Sequence, residues 1–259
     1  FAPLIEAGLL AVVHGGAEVG RYLCGHAGIR SIHITGSDRT HDAIVWGSGD
    51  EQEQRKINDE PVCDKPITSE LGCVTPVLVV PGPWSEADIE FQAKHIAGMI
   101  AHNGSFNCNA AKAVLLPQRW AHRDAFVAKL REALAHTAPR KAYYPGAHQR
   151  YAAFRETYPQ SIPLTEGSEE VVPWTVIPDV NAAKGEYALT QEAFCGIVAE
   201  VDIDAGEAGE YLEKAVAFAN ESMWGTLSCM ILVHPKTEKA HPDAVDAAIA
   251  GLNYGGIGV

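Results

Sequence analysis

Apolar residues recur along this chain in two rhythms, short unbroken runs and runs spaced at three and four, and the two alternate. Residues 9–13 and 31–35 read as strands, the first followed by a Gly15-Gly16 turn, while 18–24 and 38–46 read as helices. Strands alternating with helices predict a parallel α/β sheet. Residues 47–65 are rich in glycine and charge and read as a connecting loop. Beyond residue 65 the elements lengthen. Residues 74–80 read as a strand closed by Pro81, Gly82 and Pro83. Ile89, Ala93, Ile96, Ala97 and Ile100 mark one face of a helix over 85–102, with Ser85 as its cap and an acidic first turn. Phe126, Leu130 and Leu134 do the same for 120–136. Helices are also predicted at 148–158, 207–220 and 241–252, and strands at 174–177, 195–201 and 227–233. The fold class is therefore α/β in two pieces, 1–65 and 66–259. Residues 1–7 read as helix stopped by Gly8 and 255–259 as an apolar, strand-like stub, a pattern expected of an internal piece of a longer protein.

With 259 residues, 47% of them hydrophobic, the chain can bury a sizeable core. A net charge of −13 excludes a general nucleic-acid binder, because no basic stripe is available to neutralise phosphates. No apolar run reaches membrane-spanning length and no signal-peptide pattern opens the chain, so no membrane partner is expected. The six cysteines are scattered without CxxC pairs, which suits reduced thiols in a cytoplasm. The eleven histidines are equally dispersed, and no metal is expected.

Two residues sit in matching contexts. Glu70 sits in Ile67-Thr-Ser-Glu-Leu-Gly72, just before the apolar run 77–80. Cys108 ends Asn103-Gly-Ser-Phe-Asn-Cys before the apolar run 113–116. A thiol attacks carbonyl carbon as thiolate and needs a nearby base or dipole, and a positioned carboxylate can activate the water that releases an acyl group. The pair points to covalent carbonyl chemistry; the plainer alternative is a packed cysteine and a solvated carboxylate beside Lys65. The polar loop at Asn103, Gly104 and Ser105 could present backbone N–H groups to a thiolate and an oxyanion. Thr35-Gly36-Ser37 stands between a strand and a helix, where an anion or a simple cap both fit.

Three ordered stretches carry a resemblance: Ile32-His-Ile-Thr-Gly-Ser37, the Glu70-Leu-Gly72 turn followed by the Cys108 segment, and Glu192-Ala-Phe-Cys-Gly196. Together they resemble the aldehyde dehydrogenase superfamily over nearly the whole chain. The resemblance implies the remainder of a Rossmann-like dinucleotide-binding domain at 1–65 and a thiol-bearing catalytic domain at 66–259. It implies oxidation of a small aldehyde to a carboxylic acid with NAD or NADP, through a thioester on Cys108 and with Glu70 as the deacylating base. By the same resemblance Gly36 and Ser37 would face the pyrophosphate, Leu71 and Phe194 the nicotinamide, and Glu192 its ribose. An oxyanion Asn and a ribose Lys would precede Phe1, and a homo-oligomer, dimer or tetramer, is implied. The chain departs from the family at Ser105-Phe106, where Gly-Gln is usual, and at His41, where a glycine is usual. The alternatives are an acylating or reductive member, a cofactor-free cysteine hydrolase using His102, and a non-catalytic homologue.

Overall fold

The computed structural model describes residues 1–182 and 184–259, and the chain divides into two compact units, Phe1–Leu71 and Gly72–Val259.

The first unit runs α1 (Ala2–Glu6), α2 (Ala17–Gly25), β1 (Ile32–Gly36), α3 (Asp38–Val45), α4 (Gln52–Asn58) and β2 (Ile67–Leu71). Strands β1 and β2 pair in parallel from Ile32↔Ile67 to Gly36↔Leu71. That pairing puts the division after Leu71, whereas the sequence places it after Lys65. Residues 9–13, expected as a strand, form none, and Leu9, Val12 and Val13 are exposed. A strand exists by lending its N–H and C=O groups to a neighbour, and this run has no paired neighbour among the described residues. The expected loop at 47–65 holds α4, which ends at Asp59 in the left-handed conformation, with φ of 55°. Val45 is the one buried side chain among the described residues of this unit.

In the second unit the order is β3 (Thr75–Val79), α5 (Glu86–Ala101), a 3-10 turn (His102–Ser105), β4 (Ala111–Pro117), α6 (Arg123–Ala135) and α7 (Ala147–Thr157). There follow β5 (Ile162–Pro163), β6 (Thr175–Val180), α8 (Tyr187–Thr190), β7 (Ile197–Ile203), α9 (Ala208–Ser222), β8 (Ser228–Leu232), α10 (Pro235–Ala240), α11 (Pro242–Gly251) and β9 (Gly256–Gly258). The sheet order is β5-β6-β7-β4-β3-β8-β9, parallel except for the antiparallel β5.

Strand β4 shows why both faces are covered. All seven of its residues are buried. Val114 and Leu116 join the cluster formed with Ile89 and Ile96 of α5 and Phe126 and Leu130 of α6. Ala113 and Leu115 join the opposite cluster, with Tyr211 and Leu212 of α9 and Val245 of α11. Each fully buried Leu or Ile contributes about 1.5–3 kcal/mol, and a parallel sheet packed on both faces reads as continuous apolar runs. Helix α5 starts where expected, with Ser85 and Asp88 completing a reciprocal capping box. Between sheet and helix, Arg131 of α6 pairs with the buried Glu200 of β7, and Arg123 pairs with Asp202 at 2.7 Å.

Strands β7, β4, β3 and β8 are parallel neighbours, so their amino ends share one edge of the sheet. The segments just before them carry Glu192 to Cys195, Cys108, Gly72 and Cys73, and Trp224 and Gly225. Doubly wound sheets generally bind ligands at the carboxyl edge. Here the candidate chemistry of the second unit collects at the opposite edge.

Candidate functional site

The cysteine turn begins where α5 breaks. Asn103, Gly104 and Ser105 have φ of 53°, 68° and 66°, three successive left-handed residues that reverse the chain before β4. For Asn103 and Ser105 that conformation costs about 1–2 kcal/mol each, so neighbouring contacts must hold it. Asn103 Nδ2 donates to Asn107 Oδ1 at 3.1 Å and to Tyr143 Oη at 2.9 Å. The Asn107 amide closes on His102 Nδ1, so the nearby histidine engages Asn107. Cys108 is half-buried in the turn that follows, and its carbonyl accepts from Thr75 Oγ1 at 3.3 Å.

The strongest anchor of this turn is one the sequence reading passed over. Lys112, the second residue of β4, is only 3% exposed. Its Nζ donates to the carbonyls of Ser105 at 3.3 Å, Asn107 at 3.2 Å and Ala110 at 3.0 Å, and lies 3.4 Å from Ser105 Oγ. A buried ammonium without partners costs several kcal/mol, and here the backbone on both sides of Cys108 supplies them. Burial pushes the ammonium from 10.5 down to about 8, against the pull of Glu192 and the thiols of Cys195, Cys108 and Cys73. A lone charge inside the apolar run Ala111-Lys-Ala-Val-Leu-Leu-Pro117 is the signal that could have found it.

Before β7, Glu192 packs over the Gly72 backbone: a Cβ at Gly72 would lie 3.0 Å from Glu192 Cδ and 3.3 Å from the Trp224 ring. Phe194 has φ of 43°, and Arg150 holds that backbone by donating to the carbonyls of Ala193 at 3.0 Å and Phe194 at 3.1 Å. The Phe194 ring meets Tyr144 edge-on at 4.7 Å and Phe106 at 6.1 Å, with Lys112 Nζ 6.0 Å and the Arg150 guanidinium 5.9 Å from its centre. Phe106 also packs on Tyr143 at 5.1 Å. The Phe106 departure thus joins an aromatic group that turn spacing did not reveal. Cys195 is buried, with its thiol pushed up to about 12 by burial, and Cys73 is buried as well.

The first unit holds the other candidates. Glu70 is exposed on β2, opposite Thr35, whose hydroxyl donates to Glu70 Oε2 at 3.4 Å. Lys65 turns instead to the Cys24 carbonyl. Leu71 pairs with Gly36, so the register brings Glu70, Leu71, Gly36 and the adjoining Ser37 together. Ser37 caps α3 by accepting from Thr40 N at 3.2 Å, and Arg39 N donates to the Asp38 carboxylate at 2.8 Å. Two of the first three N–H groups of that helix therefore already serve its own side chains. A pyrophosphate there has the exposed Gly36 backbone and the Asp38 N–H to approach, and must tolerate the Asp38 charge. His41 sits one turn on, bonded to Asp42 at 3.1 Å.

A carboxylate at Glu192 and, two residues on, the ring of Phe194 are side-chain types that a ribose joined to a nicotinamide would use. Among the described residues, no helix is long and apolar enough to cross a membrane, and no group of three His, Cys, Asp or Glu side chains is placed to hold a metal ion.

The sequence profile of the aldehyde dehydrogenase family matches residues 4–146. Over 127 residues the chain is 30% identical to N-succinylglutamate 5-semialdehyde dehydrogenase of Ectopseudomonas mendocina (strain ymp), covering 49% of this chain and 23% of that protein. Among solved structures, lactaldehyde dehydrogenase from Escherichia coli superposes with a TM-score of 0.69 at 21% identity, covering 93% of this chain and 47% of the other. Indole-3-acetaldehyde dehydrogenase in complex with NAD+ gives 0.74 at 19% identity, covering 98% and 50%. The chain spans about half the length of these structures.

Proposed function

We propose that this chain, which belongs to the aldehyde dehydrogenase family, supplies the nucleophile and the nicotinamide-side contacts for oxidising a small aldehyde to a carboxylic acid with NAD or NADP. The observation that carries the reading is the Cys108 turn: a half-buried thiol on a loop whose carbonyls are drawn to a buried ammonium.

In this reading the Cys108 thiolate attacks the aldehyde carbon and forms a thiohemiacetal, with the backbone N–H groups of the turn facing the developing oxyanion. A nicotinamide dinucleotide, when bound, would supply the hydride acceptor through which the thiohemiacetal on Cys108 becomes a thioester. Glu192 would hold the ribose hydroxyls, Phe194 and the Leu71 carbonyl the ring, and Gly36 and Ser37 the pyrophosphate. Glu70 takes a proton from water, the hydroxide attacks the thioester, and the carboxylic acid leaves as Cys108 regains its thiolate. The presence of Glu70 favours water over coenzyme A as the group that resolves the thioester.

The test is aldehyde-dependent reduction of NAD or NADP, followed by absorbance of the reduced nicotinamide. Cys108→Ser is expected to abolish turnover; turnover unchanged in that variant would overturn the assignment.

A further inference from the structure

We infer that Lys112 is a positioning residue for the covalent step: its buried ammonium fixes the Asn107–Cys108 peptide so that the Cys108 N–H faces an oxyanion formed on the thiol. The inference rests on Cys108 being the nucleophile. The Asn107 carbonyl accepts from Lys112 Nζ at 3.2 Å and from Ala110 N at 3.2 Å. No peptide bond among the described residues is cis. In a trans peptide the C=O and the following N–H point in opposite directions. Drawing the Asn107 carbonyl toward the ammonium therefore turns the Cys108 N–H away from it. That N–H donates to no protein group among the described residues. The Ser105 and Ala110 carbonyls, held by the same ammonium, clamp the turn on both sides. Ser105, one end of that clamp, is also the last residue of the left-handed stretch.

The role predicts a split between two reactions of the same sulfur. With p-nitrophenyl acetate, Sγ attacks the carbonyl carbon, the tetrahedral oxyanion collapses, p-nitrophenolate leaves and a thioester remains. With iodoacetamide, Sγ displaces iodide from a methylene carbon and no oxyanion forms. Neither reaction needs a cofactor. An oriented N–H donor assists only the first, and removing one such donor slows acyl transfer by about 10²–10³-fold.

The experiment measures both rates at Cys108 in the full chain, by p-nitrophenolate release and by peptide mapping of alkylation, for wild type, Lys112→Met and Lys112→Arg. Lys112→Met is expected to slow acylation by about 10²-fold while alkylation falls less than about threefold, and Lys112→Arg, which keeps a cation, is expected to recover most of the acylation rate. Equal losses in both reactions would mean that Lys112 merely holds the loop together, and no loss in either would mean that it does nothing there. Either result overturns the inference. Where Lys112→Met does not fold, as judged by circular dichroism, the ratio of the two rates in Lys112→Gln decides in the same way. A wild-type Cys108 that reacts with neither reagent overturns the nucleophile assignment itself, an outcome distinct from a reactive Cys108 indifferent to Lys112.

Discussion

Glu192 lies directly over the Gly72 backbone, so closely that a Cβ at Gly72 would come within 3.0 Å of its Cδ. The glycine that follows β2 and the carboxylate proposed for the ribose thus occupy one contact, although 120 residues separate their places in the sequence. Gly72→Ala is expected to push the Glu192 side chain aside and to cost about 1–3 kcal/mol, the usual range for overpacking. Denaturant unfolding of the variant checks this; unchanged stability would mean that the carboxylate yields freely.

The elements with unambiguous periodicity were readable in advance. Ser85 and the spacing of Ile89, Ala93, Ile96 and Ile100 mark α5, and Phe126, Leu130 and Leu134 mark α6. Residues 9–13 have strand composition but no pairing partner, and partnership is a property no local pattern carries. Strand β2 was hidden for the opposite reason: Thr68, Ser69 and Glu70 are polar and exposed, so Glu70 read as part of a turn. Cys108, Glu192 and Phe194 stood out by motif. Lys112, Arg150 and the Phe106–Tyr143–Tyr144 cluster did not, because their roles come from carbonyls and rings brought together only by the sheet edge.

The thiols should separate sharply in reactivity. Burial pushes Cys195 and Cys229 up to about 12, and Cys73 is buried too, so all three should resist brief iodoacetamide treatment of the folded chain. Cys108 should label first, ahead of the half-buried Cys24 and Cys63. Peptide mapping settles the order; label on Cys63 or Cys24 with Cys108 untouched would contradict it.

Glu70→Gln in the intact enzyme should leave the first-turnover burst of reduced nicotinamide nearly intact. Steady-state turnover should fall by about 10²–10⁴-fold, the worth of a positioned general base. Single-turnover kinetics separates the phases. If both fall together, Glu70 acts on the thiol instead of the water.

Glu200 is only 2% exposed, its carboxyl is raised by burial, and Arg131 Nε donates to its Oε1 at 2.9 Å. Arg131→Met leaves that acid uncompensated and should cost about 3–5 kcal/mol in denaturant unfolding. The double variant Arg131→Met with Glu200→Leu should recover most of the loss. A single variant as stable as wild type would show that the pair contributes nothing.

Lys112 makes stability depend on pH in a definite direction. Its folded value, about 8, lies below the 10.5 of an unperturbed lysine. Between those two values the unfolded chain holds the proton and the folded chain does not, so stability rises with pH through the window. The gain is about 3 kcal/mol across it, at 1.36 kcal/mol per unit. Urea unfolding at a series of pH values should show wild type gaining on Lys112→Met by that order between pH 8 and 10.5. Parallel curves would place the ammonium in a less desolvated setting.

The clamp on Cys108 also determines how the turn can open. Loops that carry chemistry commonly unfold locally at little cost, well before the core around them. This one cannot swing out without stripping carbonyls from an ammonium that sits inside strand β4 among Ala111, Ala113 and Val114. Opening the turn and withdrawing the strand become one event. The hydrogen-bonded amides of Phe106 and Ala110 should therefore exchange with solvent in step with those of β4, and Cys108 sits in a turn that opens only as that strand comes apart.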